Sequence, residues 1–422
     1  MPRILPPEIL SRFVRFLDAD EEEDMHALKT LAITSSVFLR SCRSGIFYHI
    51  KLEDTKNQTR SHPSSDRKSP GEKVLDLVNS TPWVTKFVRK ISIYDVSQPS
   101  WLSNDLKVAE ALNKLNLEQI EHFVLHRGYR TQWRQLSPEI KAVIMKICQS
   151  PALVRLSVRR TPMSLLGVVR PTLKHLEVLE TAASPDEHIK PVPRDSPLSI
   201  RTLQIRHAHD LGGNINWLVD SAKNEVRLDS LEKLHFLSTS EKDHDRVPML
   251  LEACKTSLKI LNFDPHPAIS DPRSHFFDIA ICTALETLFV KVDVTTPDIE
   301  GRRNCLEWTS NFISRISKSN VIRIHLLLEW DLSDAPGDIE DTSRSLFFSS
   351  LAHYLRTLGT AVCSTQKYPR IQELDIELKS TNPVGDDTPH IERFVKQALE
   401  RIPTPDLVTL RAQPHAPSGD WY

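Results

Sequence analysis

Seventeen histidines and six cysteines are the side chains of this 422-residue chain best suited to metal or nucleophilic chemistry. His207, His209 and Asp210 stand close together, as do Asp243, His244 and Asp245, and Asp264 with His266. Imidazole and carboxylate at such short spacing can share a cation. All three groups fall in polar loops, however. None sets two histidines four residues apart on a helix with a glutamate between them, the spacing that lets one helical face hold zinc and a general base. No metal site is expected. The cysteines, Cys42, Cys148, Cys254, Cys282, Cys305 and Cys363, form no Cys-x-x-Cys pair, so they read as small buried hydrophobes in a reducing compartment. There is no Gly-x-Ser-x-Gly elbow for a nucleophile, and among 11 glycines the pair Gly212-Gly213 stands isolated instead of opening a phosphate-binding turn. The expectation is a non-enzyme that needs no cofactor.

The remaining chemistry is ionic, and it keeps time with an aliphatic pattern. From about residue 72 onward an aliphatic residue, two variable ones, an aliphatic, one variable and an aliphatic recur. The copies are Val88-Ile91-Ile93, Ile120-Phe123-Leu125, Leu153-Leu156-Val158, Leu173-Leu176-Val178, Ile200-Leu203-Ile205, Leu231-Leu234-Phe236, Leu258-Leu261-Phe263, Leu285-Leu288-Val290, Val321-Ile324-Leu326, Ile371-Leu374-Ile376 and Leu407-Leu410-Ala412. Most are about 20 to 36 residues apart, the range of stacked repeats with loop insertions. The last two aliphatics are two apart, so on a strand they share one face and the variable residues take the other. That other face carries Lys90, His122, His126, Arg155, Arg159, His175, Arg206, Lys233 and His235, then Asn262, Asp264, Phe289, Lys291, Arg323, His325, Glu329, Glu373, Asp375 and Glu377. It runs from basic toward acidic, which suits a protein partner of opposite polarity.

Helices must alternate with these strands. Ser137 reads as a cap, Pro138 as a first helical residue, and Ile140, Val143, Ile144 and Ile147 recur at helical spacing. Similar stretches occupy 74–78, 106–115, 214–221, 247–254, 304–316, 345–358 and 391–402. Strand and helix repeated in this way predict an α/β solenoid over 73–412, with parallel strands lining one face and helices the other. This region resembles a degenerate leucine-rich repeat array, and the resemblance implies an irregular horseshoe. A doubly wound sheet and a helical-repeat array are the alternatives. The first lacks a glycine-rich turn at a strand end, and the second needs longer paired helices.

The N-terminal 1–52 is patterned differently. Pro6 and Pro7 suit a helix start, and Ile9, Leu10, Phe13, Phe16 and Leu17 then recur at steps of three and four. A second helix, capped by Asp24, carries Met25, Leu28, Leu31 and Ala32. A third, capped by Ser35 or Ser36, carries Phe38, Leu39 and Cys42, and Ile46, Phe47, Ile50 and Leu52 close the segment. A unit this small is marginal alone, so part of its apolar surface is expected to serve a partner. A polar linker or loop, 53–72, follows, and 413–422 reads as a flexible tail.

Leu5-Pro6-Pro7-Glu8-Ile9, Phe16-Leu17, Leu28, the run from Leu31 to Phe38, and Ile46-Phe47 resemble an F-box. The resemblance covers about an eighth of the chain. It implies docking on a Skp-type adaptor and, through it, a cullin. Contact then falls to Leu5, Pro6, Pro7, Ile9, Phe13, Leu17, Leu28, Ile33 and Phe38, several of which must also pack the unit's own core. Together the two resemblances imply a substrate-recognition subunit of an SCF-type ubiquitin ligase. Its target would be held by Arg155, Arg159, His175, Arg206, Lys233, His235, Lys291, Arg323, His325, Glu373, Asp375 and Glu377. A repeat scaffold with no ligase link is the alternative.

Lys plus Arg number 54 against 55 Asp plus Glu, a net charge of -1, so no global field favours nucleic acid or an anionic membrane. No run reaches the length of about 18 apolar residues that crosses a bilayer. Cytoplasm, nucleus or both are the expected compartments.

Overall fold

The computed structural model describes residues 14, 17, 21–34, 36–54, 68–96, 100–128, 133–181, 189, 196–206, 215, 218–219, 226–237, 245–265, 276–293, 299–315, 320–330, 353–355, 370–380 and 408–413. The chain divides into two compact units, Met1–Leu198 and Ser199–Tyr422. Both are α/β, and each holds a parallel sheet.

Unit 1 opens with helices α1 (Glu22–Thr34) and α2 (Ser36–Ile46), which pack around buried Val14, Leu28 and Cys42. Helix α1 starts two residues before Asp24, so that residue lies in the first turn and is not the cap the sequence suggested. Carboxylates there still complement the positive end of the helix dipole. Strand β1 (His49–Glu53) follows α2 almost at once. Its Ile50 and Leu52 stand in register with Ile91 and Ile93 of β2 (Lys90–Asp95). Phe47-Ile50-Leu52 has the spacing of the other repeats and is a further copy that pattern reading assigned to the helical segment.

Helix α3 (Pro70–Ser80) is fixed by a capping box: the Ser69 hydroxyl accepts from the Glu72 N–H, and the Glu72 carboxylate accepts from the Ser69 N–H. It packs on α4 (Lys107–Asn113), which packs on α5 (Pro138–Cys148). As expected, Ser137 caps α5, accepting from the Ile140 N–H at 3.3 Å. Gly71 sits where α3 meets the start of α4. Its N–H donates to Asp105 Oδ2 at 2.8 Å, and a Cβ there would lie 2.5 Å from the Val108 nitrogen. Strands β3 (His122–Arg127), β4 (Arg155–Arg159) and β5 (His175–Leu179) complete the unit. β1 to β5 lie side by side in chain order, all parallel. Ile91, Phe123, Leu156 and Leu176 form one buried row, and Ile93, Leu125, Val158 and Val178 the next.

Unit 2 repeats the scheme with β6 (Thr202–Arg206), β7 (Lys233–Leu237), α6 (Val247–Cys254), β8 (Ile260–Asp264) and β9 (Thr287–Asp293). It ends with α7 (Ile299–Ser314), β10 (Arg323–Trp330), β11 (Glu373–Ser380) and β12 (Val408–Gln413). Again the strands are parallel and neighbours in chain order. Leu203, Leu234, Leu261, Leu288, Ile324 and Leu374 share one row. The last copy is displaced: Val408 and Leu410, not Leu410 and Ala412, stand opposite Leu374 and Ile376. Both pairs alternate at period two, so only the ladder decides between them. Phe236, Phe263, Phe277, Trp308 and Phe312 form an aromatic core, with Phe236 stacked on Phe263 at 6.0 Å and Trp308 on Phe312 at 5.1 Å.

Most strands are seated by the one before them. Two consecutive N–H groups converge on a single carbonyl: Arg89 and Lys90 on Tyr48, Glu121 and His122 on Arg89, Val154 and Arg155 on Glu121, Lys174 and His175 on Val154. In unit 2 the same seat joins Glu232 and Lys233 to Arg201, Lys259 and Ile260 to Glu232, and Glu286 and Thr287 to Lys259. Most of the predicted helices at 214–221, 345–358 and 391–402 lie outside the described residues. Among those described, no helix is long and apolar enough to cross a membrane.

Candidate functional site

Because the aliphatic rows turn inward, the alternate residues of each strand line the opposite face of its sheet. In unit 1 that face has three rows. The first is His49, Lys90, His122, Arg155 and His175; the second is Lys51, Ser92, Val124, Ser157 and Glu177; the third is Glu53, Tyr94, His126, Arg159 and Leu179. Of the target-binding residues expected here, Arg155 is exposed and Arg159 and His175 are half-buried. Arg155 and His175 are direct cross-strand neighbours, and Arg159 lies on the same side of its strand.

His122 and His126 are held neutral on this face. Burial, reinforced by Arg155, Lys90, His175 and His49, brings His122 down to about 4, and burial with Arg159 does the same for His126. His126 Nε2 lies 2.8 Å from Ser157 Oγ, and Ser157 donates its own proton to Glu177 Oε2 at 2.7 Å. His126 therefore donates to the serine. That order is the reverse of a nucleophile triad, in which the imidazole must accept the hydroxyl proton. The chain of bonds positions the imidazole but does not activate the serine. His49 Nε2 lies likewise 2.8 Å from Ser92 Oγ. Tyr94 meets His126 edge-on at 5.3 Å, and Lys51 lies over the Tyr94 ring at 5.1 Å.

Just past the ends of β4 and β5, Arg160 and Glu180 both take left-handed backbone, with φ of 56° and 46°. For residues other than glycine this costs about 1–2 kcal/mol each. The two side chains form an ion pair with each other, and Arg159 joins it with its Nη2 2.7 Å from Glu180 Oε1. Burial alone would raise the Glu180 carboxyl, but the two guanidiniums more than offset it and hold it low. Deeper still, on the aliphatic side of the sheet, Asp95 and Arg127 stand opposite each other on β2 and β3, 3.9 Å apart and both 0% exposed. Burial pushes Asp95 up and Arg127 down to about 10, against the attraction of each for the other. Asp95 also accepts from Ser100 Oγ at 2.7 Å and from the Leu102 N–H. Neither pair was foreseen, because a charged residue at a strand end reads as solvated surface.

In unit 2 the expected residues compensate one another across neighbouring strands. His235 Nε2 lies 3.5 Å from Asp264, His325 Nδ1 lies 3.1 Å from Asp375, and Arg323 lies 3.9 Å from Glu373. Glu329 bridges Lys291 at 2.8 Å and Lys379 at 3.6 Å. His325 stacks on Phe289 at 4.3 Å. Arg206, Lys233 and Glu377 are half-buried on strands of the same sheet.

The N-terminal helices separate their expected contacts into two kinds. Leu28 is fully buried, and Leu17 and Phe38 pack around it. Ile33 is 86% exposed at the end of α1, and Val37, one turn-start later on α2, is 54% exposed. Val37 was not singled out in sequence, although it falls inside the quoted run. Leu5, Pro6, Pro7, Ile9 and Phe13 lie outside the described residues, as do His207, His209, Asp210, Asp243, His244 and His266. Among the described residues no three His, Cys, Asp or Glu side chains converge on a common point. Comparison with protein-family models gave no match, and no curated protein matches the sequence.

Proposed function

We propose that the chain is a substrate-recognition subunit of an SCF-type ubiquitin ligase, with its N-terminal helices docked on a Skp-type adaptor and, through it, a cullin, and its strand faces turned to a target protein. It catalyses nothing itself and acts by raising the effective concentration of target and conjugating enzyme. The reading rests on exposed Ile33 and Val37, two large apolar side chains left to solvent beside a helical core in which, among the described residues, Val14, Leu28 and Cys42 are buried. Apolar surface displayed by so small a unit is the material of an interface. The sheets are read as a leucine-rich-repeat-like solenoid, since within each unit the parallel strands follow one another in chain order, as stacking requires, whereas a doubly wound sheet reverses its order. Cytoplasm, nucleus or both are the compartments for such a subunit.

Co-expression of the full chain with a Skp-type adaptor, followed by pull-down, tests the link. The wild-type chain should retain the adaptor, and Ile33→Asp combined with Val37→Asp should lose it with unchanged circular dichroism. A wild-type chain that ignores the adaptor, or a double variant that keeps it, overturns the proposal. One observation favours a second reading. Only Phe47 and Tyr48 separate α2 from β1, so the helices are built directly onto the ladder and could serve as its cap in a scaffold without a ligase role.

A further inference from the structure

We infer that the middle row of the unit 2 strand face, Gln204, His235, Asn262 and Phe289, receives the main chain of a neutral, extended segment of the target protein, with the Gln204 and Asn262 side-chain amides bonding its peptide groups. The inference names the chemistry of the target. It rests on the reading of this face as target-binding but not on the adaptor link.

Gln204 on β6 and Asn262 on β8 lie between the inward aliphatics of their strands and so stand on the opposite face, each a direct cross-strand neighbour of His235 on β7. Gln204 is 8% exposed and Asn262 9%, yet Gln204 Nε2 and Asn262 Oδ1 are both buried without a hydrogen-bond partner. Leaving a buried amide unpaired is unfavourable, and native chains seldom do so. His235 relieves neither, because its Nε2 is turned to Asp264 at 3.5 Å. The matching positions of unit 1 are satisfied within the chain: Ser92 lies 2.8 Å from His49, and Ser157 bonds both His126 and Glu177. Among the described residues, two orphaned amides on one row distinguish unit 2.

What would complete them identifies the partner. One orphaned end is a donor, the other an acceptor, and both are neutral, so the complement offers an acceptor and a donor without net charge. An extended main chain offers both at every residue. Two strand intervals, about 10 Å, separate the two strands, the reach of about three extended residues. Because the orphaned ends hold no bond, turning them toward the segment breaks none. One strand beyond Asn262, Phe289 stacks on His325 at 4.3 Å, and His325 is held in turn by Asp375 at 3.1 Å, a fixed aromatic shelf for an apolar side chain of the same segment. The flanking charges answer one another as well: Arg323 pairs with Glu373, and Glu329 bridges Lys291 and Lys379. This favours a neutral segment over nucleic acid, whose binding draws on many phosphate contacts at once.

The test measures fluorescence anisotropy of a labelled hexapeptide, Ser-Ala-Ala-Phe-Ala-Ser capped at both ends, with the full chain. The same peptide N-methylated along its main chain and a thymidine hexanucleotide are the comparators. N-methylation keeps the side chains and removes the N–H donors. The wild-type chain should bind the plain peptide at millimolar concentration or below, and the N-methylated form about tenfold more weakly. Gln204→Met and Asn262→Leu should each weaken binding about fivefold, and together about twentyfold. Since both orphaned ends are idle in the free chain, exchanging the amides for apolar side chains of similar size should leave Tm unchanged or raise it, which a merely structural pair of amides would not do. A wild-type chain that ignores the peptide, equal affinity for the N-methylated form, tighter binding of the hexanucleotide, indifference to both substitutions, or a Tm lowered by them each overturns the inference, the last because the amides would then be bonded in the free chain. Failure here with the adaptor still retained leaves the ligase reading standing; peptide binding without adaptor retention sinks that reading and spares this one.

Discussion

Asp95→Asn exchanges a buried carboxylate for an amide of the same shape, which keeps one oxygen for the Leu102 N–H, sets its NH2 against a Ser100 hydroxyl that must turn to accept, and withdraws the negative charge facing Arg127. At 3.9 Å and an effective dielectric of about 20 the attraction lost is about 4 kcal/mol. That agrees with the 3–5 kcal/mol commonly lost when one member of a buried ion pair is removed. Replacing Arg127 by methionine in the same chain removes the buried cation. Burial brings its pKa down to about 10 even against the attraction of Asp95, so the charge is costly where it lies and the double variant should recover to within about 1 kcal/mol of wild type. Arg127→Met alone leaves the Asp95 carboxylate buried without its counter-charge, so each single variant should be less stable than the double variant. For a unit of about 200 residues, a loss of 4 kcal/mol lowers Tm by roughly 8–16 °C. Urea unfolding, with amide exchange of peptides spanning 90–95 and 122–127, reads the effect where it arises. A single variant within about 1 kcal/mol of wild type, or a double variant as unstable as the sum of its parts, would show that the pair is not coupled as described.

His122 and His126 give unit 1 a pH limit. Their folded values of about 4 lie below the unfolded 6.5, so the native state binds fewer protons between the two. The stability they contribute is whole above about 6.5 and is lost as pH falls through about 4. The urea midpoint should decline over that window, and His122→Gln with His126→Gln should flatten the decline; an equally steep fall in the double variant assigns it to other groups. Gly71→Ala should cost about 1–3 kcal/mol by forcing α3 off the start of α4, read as faster amide exchange across 70–80. Unchanged exchange there would mean that the two helices part without cost.

Much of this fold is legible because inward-facing aliphatics two residues apart leave little choice of face. Each predicted copy from Val88-Ile91-Ile93 to Ile371-Leu374-Ile376 is a strand, and most stand in register as the pattern implied. Where local choice is degenerate the reading slipped. Val408 and Leu410 serve as well as Leu410 and Ala412 until Leu374 and Ile376 choose between them. Ile50 and Leu52 looked like the end of a helical segment because nothing before them repeats. The ionic features were least legible. Sequence marks Arg155, Arg159 and His175 as available side chains, but only the ladder reveals that Arg155 and His175 are cross-strand neighbours while Arg159 is paired with Glu180.

The doubled N–H seat at most strand starts has a consequence for how such a chain can change over time. Since most of the strands take their position from a backbone carbonyl of the predecessor, the connecting stretch is free to lengthen, as the long passage between β10 and β11 illustrates. A duplicated repeat would find the same backbone seat ready for it, and its side chains would be left to differentiate without endangering the join.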